Sequence, residues 1–211
     1  MTSILAAVAC GIVCGLDLKT CAEAISKFEP PMGRCSVHRT PVGAFYVFEH
    51  KAPFWTIANS LNFVREAQAP RKTVVFGTIS DYPGSASSHY KRAARAALEV
   101  ADRVVFVGAQ SSHVSKLRKG ELQDRVFAFQ TTYQATEFLR QETSPSELIL
   151  LKGSNSVDHF ERIPLAQIET VVCWKQSCRV KRTCLKCPNY HKAAGPPFGL
   201  AQAQALAVAN V

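Results

Sequence analysis

The stretch TVVFGTISDYPGSASSHYKRAARAALEVADRVVFVG, residues 73–108, decides the fold of this chain. It opens with a short run of β-branched and aromatic residues at 74–76 and closes with a second such run at 104–107. Between them, apolar side chains recur on one helical face, namely Tyr90, Ala93, Ala94, Ala97, Leu98 and Ala101. Two strands joined by a helix are expected to be parallel neighbours in one sheet. The stretch therefore predicts an α/β fold in which helices flank a mostly parallel sheet.

The segments on either side extend this pattern. Helices are predicted over residues 3–14 and 18–27, the first of them buried, and the sequence EPPMGR at 29–34 then breaks the helix. Further strands are predicted at 35–39, 44–49, 126–129 and 148–151, and further helices at 57–64 and 132–141. The first two of these strands form a hairpin around a Thr-Pro-Val-Gly turn. The break at 29–34 is the clearest domain boundary in the chain.

The composition is that of a basic globular protein. The 211 residues carry 25 Lys and Arg against 16 Asp and Glu, a formal net charge of +9, which favours anionic partners. The apolar run at 3–16 is too short to span a bilayer, and no Lys or Arg precedes it, so neither a membrane partner nor a signal peptide is expected. The eight cysteines do not form a small disulfide scaffold, which indicates a reducing cytoplasm. Four of them are predicted to be small core residues, namely Cys10, Cys14, Cys21 and Cys35.

Three polar clusters follow predicted strands. They are Glu49-His50-Lys51, Ser80-Asp81-Tyr82 with His89 beyond it, and Lys152-Gly153-Ser154-Asn155. In an open parallel sheet the carboxyl ends of the strands share one rim, where ligands bind. A lysine there suits a phosphate, and a glycine permits close approach of the backbone. Each cluster alone is better explained as an ordinary loop, and only their joint position at strand ends makes a functional site an equally good explanation. Neither G-x-x-x-x-G-K-[ST] nor G-x-G-x-x-G occurs, so the chain lacks the usual phosphate cradle of an ATP enzyme.

An ordered series of short motifs resembles the C-terminal domain of the Mur ligases, which are ATP-dependent amide-forming enzymes of peptidoglycan precursor synthesis. The series is PMGR at 31–34, EHKAP at 49–53, RKTVVFG at 71–77 and LLKGSN at 150–155, and the resemblance covers roughly residues 1–163. It implies a Rossmann-like α/β domain over residues 34–168 that closes over ATP. Residues 1–33 then resemble the end of the family's central ATPase domain and its hinge.

The resemblance also implies roles for individual residues. Those expected near the nucleotide are Arg34, Glu49, His50 and Lys51. Those expected near the incoming amino acid or peptide are Lys152, Gly153, Ser154 and Asn155. The family usually has Asp at the position of Glu49, and the sequence Glu-His-Lys departs from the family's usual forms, so no catalytic residue is assigned.

The resemblance implies partners as well. The family's Walker loop and magnesium ligands belong to other domains, so ATP and Mg²⁺ are expected to be bound mainly by an ATPase-domain partner. The expected substrates are a cell-wall precursor and an amino acid. Because the chain would supply only part of the active site, it is expected to be inactive alone.

Residues 169–192 form a basic segment rich in cysteine. Its thiols are Cys173, Cys178, Cys184 and Cys187, and His191 follows four residues later. Four thiols within 15 residues suit a structural zinc ion, although the gap between Cys178 and Cys184 is short for a zinc ribbon. Free or redox-active thiols are the other interpretation, because neighbouring Lys and Arg side chains stabilise thiolate.

The same segment leaves a second function open. Arg179, Lys181 and Arg182 lie close in sequence to Trp174 and Tyr190, a combination that predicts a zinc-knuckle nucleic-acid-binding module carried on the α/β scaffold. Residues 193–211 have little charge and no clear periodicity, which predicts a disordered tail.

Overall fold

A computed structural model describes residues 2–178, 180 and 182–190. The chain divides into two compact units between Pro31 and Met32, inside the predicted helix-breaking sequence. The first unit contains α1 (Thr2–Val13) and α2 (Leu18–Ser26). Asp17 caps α2, since its carboxylate accepts a hydrogen bond from the amide of Thr20 at 2.7 Å. Among the described residues, no helix has both the length and the apolar character needed to cross a bilayer.

The burial predicted for the first helix is wrong. Most of α1 is exposed, including Leu5 at 63% and Val13 at 87%. Of the four cysteines predicted to be core residues, Cys21 is buried, whereas Cys10, Cys14 and Cys35 are exposed. An apolar composition predicts the helix correctly here, but burial depends on what packs against that helix, and the helix's own sequence does not contain this information.

The second unit, from Met32 onward, is built on six strands. They are β1 (Arg34–Arg39), β2 (Phe45–His50), β3 (Lys72–Phe76), β4 (Arg103–Val107), β5 (Val126–Phe129) and β6 (Leu148–Gly153). They form one sheet in the order β1-β2-β6-β3-β4-β5. β1 is antiparallel to β2, as the predicted hairpin requires, and the other neighbouring strands are parallel. The predicted mostly parallel sheet is confirmed.

Helices cover both faces of this sheet. They are α3 (Ile57–Glu66), α4 (Ala86–Leu98), α5 (Ser112–Ser115), α6 (Thr132–Glu142) and α7 (Arg162–Leu165). Alternate residues of each central strand enter opposite cores, so that Val74 and Phe76 pack with α3, α4 and α5, while Val75 packs with α6 and α7. The predicted inward stripe of α4 is buried at Tyr90, with the alanines that follow it. A sheet buried on both faces is the Rossmann-like arrangement.

A buried ionic cluster joins the amino ends of the central strands. The Glu147 carboxylate, fully buried just before β6, accepts from Arg71 Nη2 at 2.6 Å and from Arg103 Nη2 at 3.0 Å. The Thr73 hydroxyl and the Ser144 amide donate to the same carboxylate at 2.5 and 3.0 Å. Arg71 Nε donates as well, at 2.9 Å, so five donor atoms compensate the burial of this charge, at the edge of the sheet opposite the predicted site.

The described part of the cysteine-rich segment packs on the α/β unit. Arg162 is 1% exposed, and its Nη1 donates to the carbonyl oxygens of Cys173 and Lys175, both at 3.0 Å. The guanidinium also lies 5.5 Å from the ring centre of Trp174. A small core of Ala166, Val171 and Tyr190 completes this packing.

Some predictions fall on residues that the structure does not describe. Arg179, Lys181, His191 and the predicted disordered tail at 193–211 lie outside the described residues.

Candidate nucleotide and substrate site

The parallel pairing of β2 with β6 brings two of the predicted polar clusters together. Glu49 is in register with Lys152, and His50 is in register with Gly153. The antiparallel pairing of β1 with β2 then places Arg34 opposite Glu49. The structure thus collects the predicted nucleotide-binding and substrate-binding residues at one corner of the carboxyl-end rim.

Glu49 and Lys152 form an ion pair at this corner. Lys152 Nζ lies 2.8 Å from Glu49 Oε2; the Lys152 side chain is fully buried and that of Glu49 is 25% exposed. Ser60, on α3, donates to the same carboxylate oxygen at 2.5 Å. The Lys152 ammonium is therefore held inside the domain by Glu49, and the loop after β6, rather than this ammonium, borders the solvent.

The two members of this pair are expected to contribute unequally to stability. Glu49→Gln should lower the free energy of unfolding by about 2 kcal/mol, because it leaves a buried ammonium without its counter-charge. Lys152→Met should cost less than about 1 kcal/mol, since Glu49 keeps Ser60 and its contact with water. Urea unfolding of both variants and of the double variant measures the difference. A larger loss for Lys152→Met than for Glu49→Gln would show that burial does not decide the energetics of this pair.

Lys51 occupies an unusual backbone conformation beside this pair. Its φ is 70°, in the left-handed region that favours glycine, and its amide donates to the Gly153 carbonyl at 2.6 Å. Its side chain is exposed, as is that of Arg34. Two cationic side chains are therefore presented to solvent at this corner.

His50 is fixed between a glycine and an aromatic ring. A Cβ on Gly33 would lie 1.7 Å from His50 Cδ2, so only glycine permits this approach, and Gly33 also has a φ of 80°. The His50 ring meets Phe48 edge-to-face at a centroid separation of 4.5 Å. Burial lowers the pKa of His50, so its imidazole is neutral at pH 7. His50 Nδ1 is buried and has no hydrogen-bond partner among the described residues.

A buried carboxylate, Asp158, clamps the loops after β3 and β6. Its Oδ2 accepts from the amides of Thr78 at 2.8 Å and Ser154 at 2.6 Å, and its Oδ1 accepts from the Thr78 hydroxyl at 2.9 Å. A Cβ on Gly77 would lie 2.3 Å from Asp158 Oδ2, and one on Gly153 would lie 2.8 Å from it. The sequence suggested that Gly153 admits a ligand, whereas in the structure its open face is filled by this carboxylate.

The remaining predicted substrate residues lie on the loop that Asp158 anchors. Ser154 and Asn155 are half-buried. Asn155 Oδ1 is buried without a hydrogen-bond partner in the described part of the chain. Buried polar atoms are almost always paired, so an unpaired one at a strand end indicates a place where a ligand atom can bind.

The third polar cluster reaches the same rim through backbone pairing. The Ser80 amide donates to the Ala52 carbonyl at 2.9 Å, and the Phe54 amide donates to the Ser80 carbonyl at 3.0 Å. Next to this bridge, Tyr82 stacks on His89 at 4.7 Å, and Phe54 meets His89 edge-to-face at 5.2 Å. The polar residues were predicted at this rim, but the aromatic contact with Phe54 was not.

Comparison with known proteins decides the family of this domain. Residues 55–155, from the start of the α3 region to the loop after β6, match the family model described as Mur ligase, glutamate ligase domain. Residues 55–155 belong to the Mur ligase C-terminal domain family. The resemblance that the sequence motifs indicated is confirmed for this domain. No curated protein matches the chain.

Solved Mur ligase structures have the same fold. MurF from Acinetobacter baumannii is 20% identical with a TM-score of 0.65, over 79% of this chain and 37% of that chain. MurC from Thermotoga maritima is 18% identical with a TM-score of 0.58, over 78% and 36%. MurF from Thermotoga maritima, solved in complex with ADP, is 13% identical with a TM-score of 0.55, over 76% and 34%. The chain thus spans about a third of the length of each of these ligases.

Three of the four predicted metal ligands, which lie outside the residues matched by the family model, contact different parts of the domain. Cys178 Sγ lies 2.9 Å from His159 Nε2, and Cys184 Sγ lies 3.8 Å from His159 Nδ1. Cys187 packs against the small core of Ala166, Val171 and Tyr190. Within the described residues, the group whose metal-ligand atoms all lie within 4.8 Å of one another is His159, Glu161 and Cys184. Cys184 is the one predicted ligand in that group.

Sequence reasoning missed His159 and Glu161. Both are buried on the turn that leads into α7. Burial alone would raise the pKa of the Glu161 carboxyl, but His159 and the Cys184 amide hold it below its usual range. Burial, reinforced by Glu161, raises the pKa of the Cys184 thiol. A histidine next to cysteines in space, but far from them in sequence, gave no spacing signal.

Proposed function

We propose that this chain supplies the closing domain of an ATP-dependent acid–amine ligase of the Mur type. It acts with an ATPase domain that lies outside these 211 residues and that holds most of the ATP and Mg²⁺. The observation that carries the proposal is the composition of the carboxyl-end rim, where exposed cations stand beside buried polar atoms that have no described partner.

The exposed cations suit the anionic part of such a reaction. A ligase of this kind forms an acyl-phosphate from a carboxylate and ATP, and an amine then displaces the phosphate. In this proposal Arg34 and Lys51 contact the nucleotide phosphates, with Glu49 and His50 beside them at the carboxyl end of β2. Groups that are fixed before the reaction stabilise the developing charge without reorganisation.

The backbone of Lys51 supports a role for its side chain. A residue other than glycine at a φ of 70° costs about 1 kcal/mol or more. Glycine would relieve that strain, yet the position carries a long cationic side chain that points to solvent. Strain of this kind is typical of functional sites, where the side chain is needed despite its backbone.

The loop after β6 suits the amine substrate. Asn155 Oδ1 is an acceptor without a described partner, and an amine offers N–H donors. Ser154 lies next to it on the same anchored loop, and Gly153 and Lys152 lead into that loop from β6. In this proposal Asn155 and Ser154 face the incoming amino acid, and the buried Lys152 positions them through its pair with Glu49.

Capture from the native cell extract tests the proposal. The tagged chain is used as bait, bound protein and nucleic acid are both identified, and the captured material is assayed for amino-acid-dependent release of phosphate from ATP. Recovery of a Walker-loop protein with that activity is the expected result. Recovery of nucleic acid without such a protein, or of an ATPase that no amino acid stimulates, would overturn it.

Replacement of Lys51 separates function from stability. Lys51→Gly is expected to leave the free energy of unfolding within about 1 kcal/mol of the original, because lost strain offsets added backbone freedom. The same change should slow amide formation by the captured complex about 100-fold, and Lys51→Arg should retain more of the rate. Lys119→Ala, at an exposed lysine between α5 and β5, is the matched control. A Lys51→Gly complex as active as that control would contradict the assignment.

The nucleic-acid interpretation of the cysteine-rich segment is not favoured. Tyr190 is 1% exposed, and its hydroxyl donates to Glu169 Oε1 at 2.7 Å. Trp174 donates to the Val171 carbonyl at 2.9 Å and lies against the guanidinium of Arg162. Rings engaged in this way are not free to stack on bases, which is how such modules bind single strands.

A further inference from the structure

Three side chains from two separate parts of the chain meet beside α7. His159 and Glu161 lie on the turn that follows β6, and Cys184 lies more than 20 residues later on a helical turn at Cys184–Lys186. His159 is 1% exposed and Glu161 is fully buried. The Cys184 amide donates to Glu161 Oε1 at 3.0 Å, which fixes the approach of the two segments.

The distances from His159 Nδ1 to the other two ligand atoms are close to those around a tetrahedral metal ion. His159 Nδ1 is 3.8 Å from Cys184 Sγ and 3.8 Å from Glu161 Oε1. Zinc bonds of about 2.0–2.3 Å at tetrahedral angles separate such atoms by about 3.3–3.8 Å. The two measured separations are therefore within about half an ångström of that range, and the third, from Cys184 Sγ to the Glu161 carboxylate, is at most 4.8 Å.

The buried carboxylate has an oxygen that lacks a partner. Glu161 Oε2 is inaccessible to solvent and accepts no hydrogen bond from any described residue. A carboxylate buried in this way is costly unless a donor or a cation compensates it. A metal ion next to His159 and Cys184 would supply that compensation.

The other ring nitrogen of His159, Nε2, also has a close neighbour, as is usual for a metal-binding histidine. Cys178 Sγ lies 2.9 Å from His159 Nε2, whereas Cys184 Sγ is near the other ring nitrogen, Nδ1. Metal-binding histidines generally donate their other ring N–H to a neighbouring acceptor, which fixes the tautomer and the ring orientation. If Nε2 carries the proton, the Cys178 sulfur is the atom that accepts its hydrogen bond.

We propose that His159 Nδ1, the Glu161 carboxylate and Cys184 Sγ bind one divalent zinc ion, with Cys178 holding the histidine from outside. The donor set of one imidazole, one carboxylate and one thiolate is typical of zinc. This set differs from the four-cysteine set that the sequence suggested, since it keeps only Cys184 as a ligand and omits Cys173, Cys178 and Cys187. The ion would fasten the cysteine-rich segment to the α/β domain, whether or not the domain takes part in ligation.

Metal analysis of single variants tests the proposal. The full chain is purified under reducing conditions without a histidine tag, incubated with Zn²⁺, desalted and analysed for metal, and Co²⁺ then replaces Zn²⁺ as a spectroscopic probe. One zinc ion per chain and a thiolate-to-cobalt absorption band are expected. His159→Gln, Glu161→Gln and Cys184→Ser should each weaken zinc binding by more than about tenfold, and Cys178→Ser by about tenfold.

Cys173→Ser and Cys187→Ser are the matched controls, and both should bind zinc like the original chain. Loss of zinc in these two variants, with retention in His159→Gln, would establish the four-cysteine set and overturn the proposal. A chain that binds no stoichiometric zinc would overturn it as well. Since a ligand variant can fail to fold, circular dichroism is recorded for each, and the melting temperature of the original chain is measured with and without a chelator. The chelator is expected to lower it, and an unchanged value would count against the ion.

Discussion

Asp158→Ala is expected to lower the free energy of unfolding by about 4 kcal/mol. The change removes three hydrogen bonds and leaves the amides of Thr78 and Ser154 without their acceptor, at about 1–3 kcal/mol for each unsatisfied buried group. It also empties the space that the close approach of Gly77 and Gly153 creates around the carboxylate. Urea unfolding followed by circular dichroism measures the loss.

Two further variants sharpen this experiment. Asp158→Asn keeps the shape and one acceptor oxygen for the two amides, and its amide group can donate to the Thr78 hydroxyl, so a loss of only about 1–2 kcal/mol is expected. Asp124→Ala, at an exposed aspartate before β5, should change stability by less than about 0.5 kcal/mol. If Asp158→Ala behaved like Asp124→Ala, the clamp would have no energetic role.

Glu147→Ala is expected to have an effect at least as large, about 4–5 kcal/mol. The carboxylate is fully buried and neutralises Arg103, whose own side chain is only 7% exposed. Its removal leaves a buried guanidinium without a counter-charge, and breaking a buried pair in this way typically costs about 3–5 kcal/mol. The lost bonds from Thr73 and the Ser144 amide add to this cost.

A surface pair in the same domain provides the comparison. Glu137 and Arg140 on α6 are 2.7 Å apart, with side chains 33% and 47% exposed. Glu137→Ala should cost less than about 0.5 kcal/mol, because exposed pairs are screened by water and salt. Guanidinium unfolding of both variants under identical conditions measures the contrast. Similar losses for the two variants would mean that desolvation does not set the strength of the Glu147 cluster.

The sheet and the position of its rim were predictable from the sequence because they depend on local patterns. Apolar runs at 74–76, 104–107 and 148–151 predicted central strands, and a helical stripe between two of them fixed their parallel pairing. Once the strands are parallel, Glu49 and Lys152 must lie near the same edge. Periodicity and topology were therefore enough to predict that these two residues lie together.

The contacts that organise that corner were not predictable in the same way. Asp158 acts on Thr78, which is 80 residues away in sequence, and neither residue belongs to a repeating pattern. The ligand group of His159, Glu161 and Cys184 arises because the chain folds back on the turn before α7. Cysteine spacing describes a thiol's neighbours along the chain, whereas the two residues grouped with Cys184 come from another segment.

The turn from Asp158 to Arg162 makes hydrogen bonds to two separate parts of the chain. Asp158 holds the loops of the rim, and Arg162 holds the backbone of the cysteine-rich segment. A gene fragment or fusion junction designed to end at residue 168, where the sequence suggests a boundary, would cut through one packed body. Such a fragment would leave the buried Arg162 guanidinium without the two carbonyl oxygens of Cys173 and Lys175 that it binds.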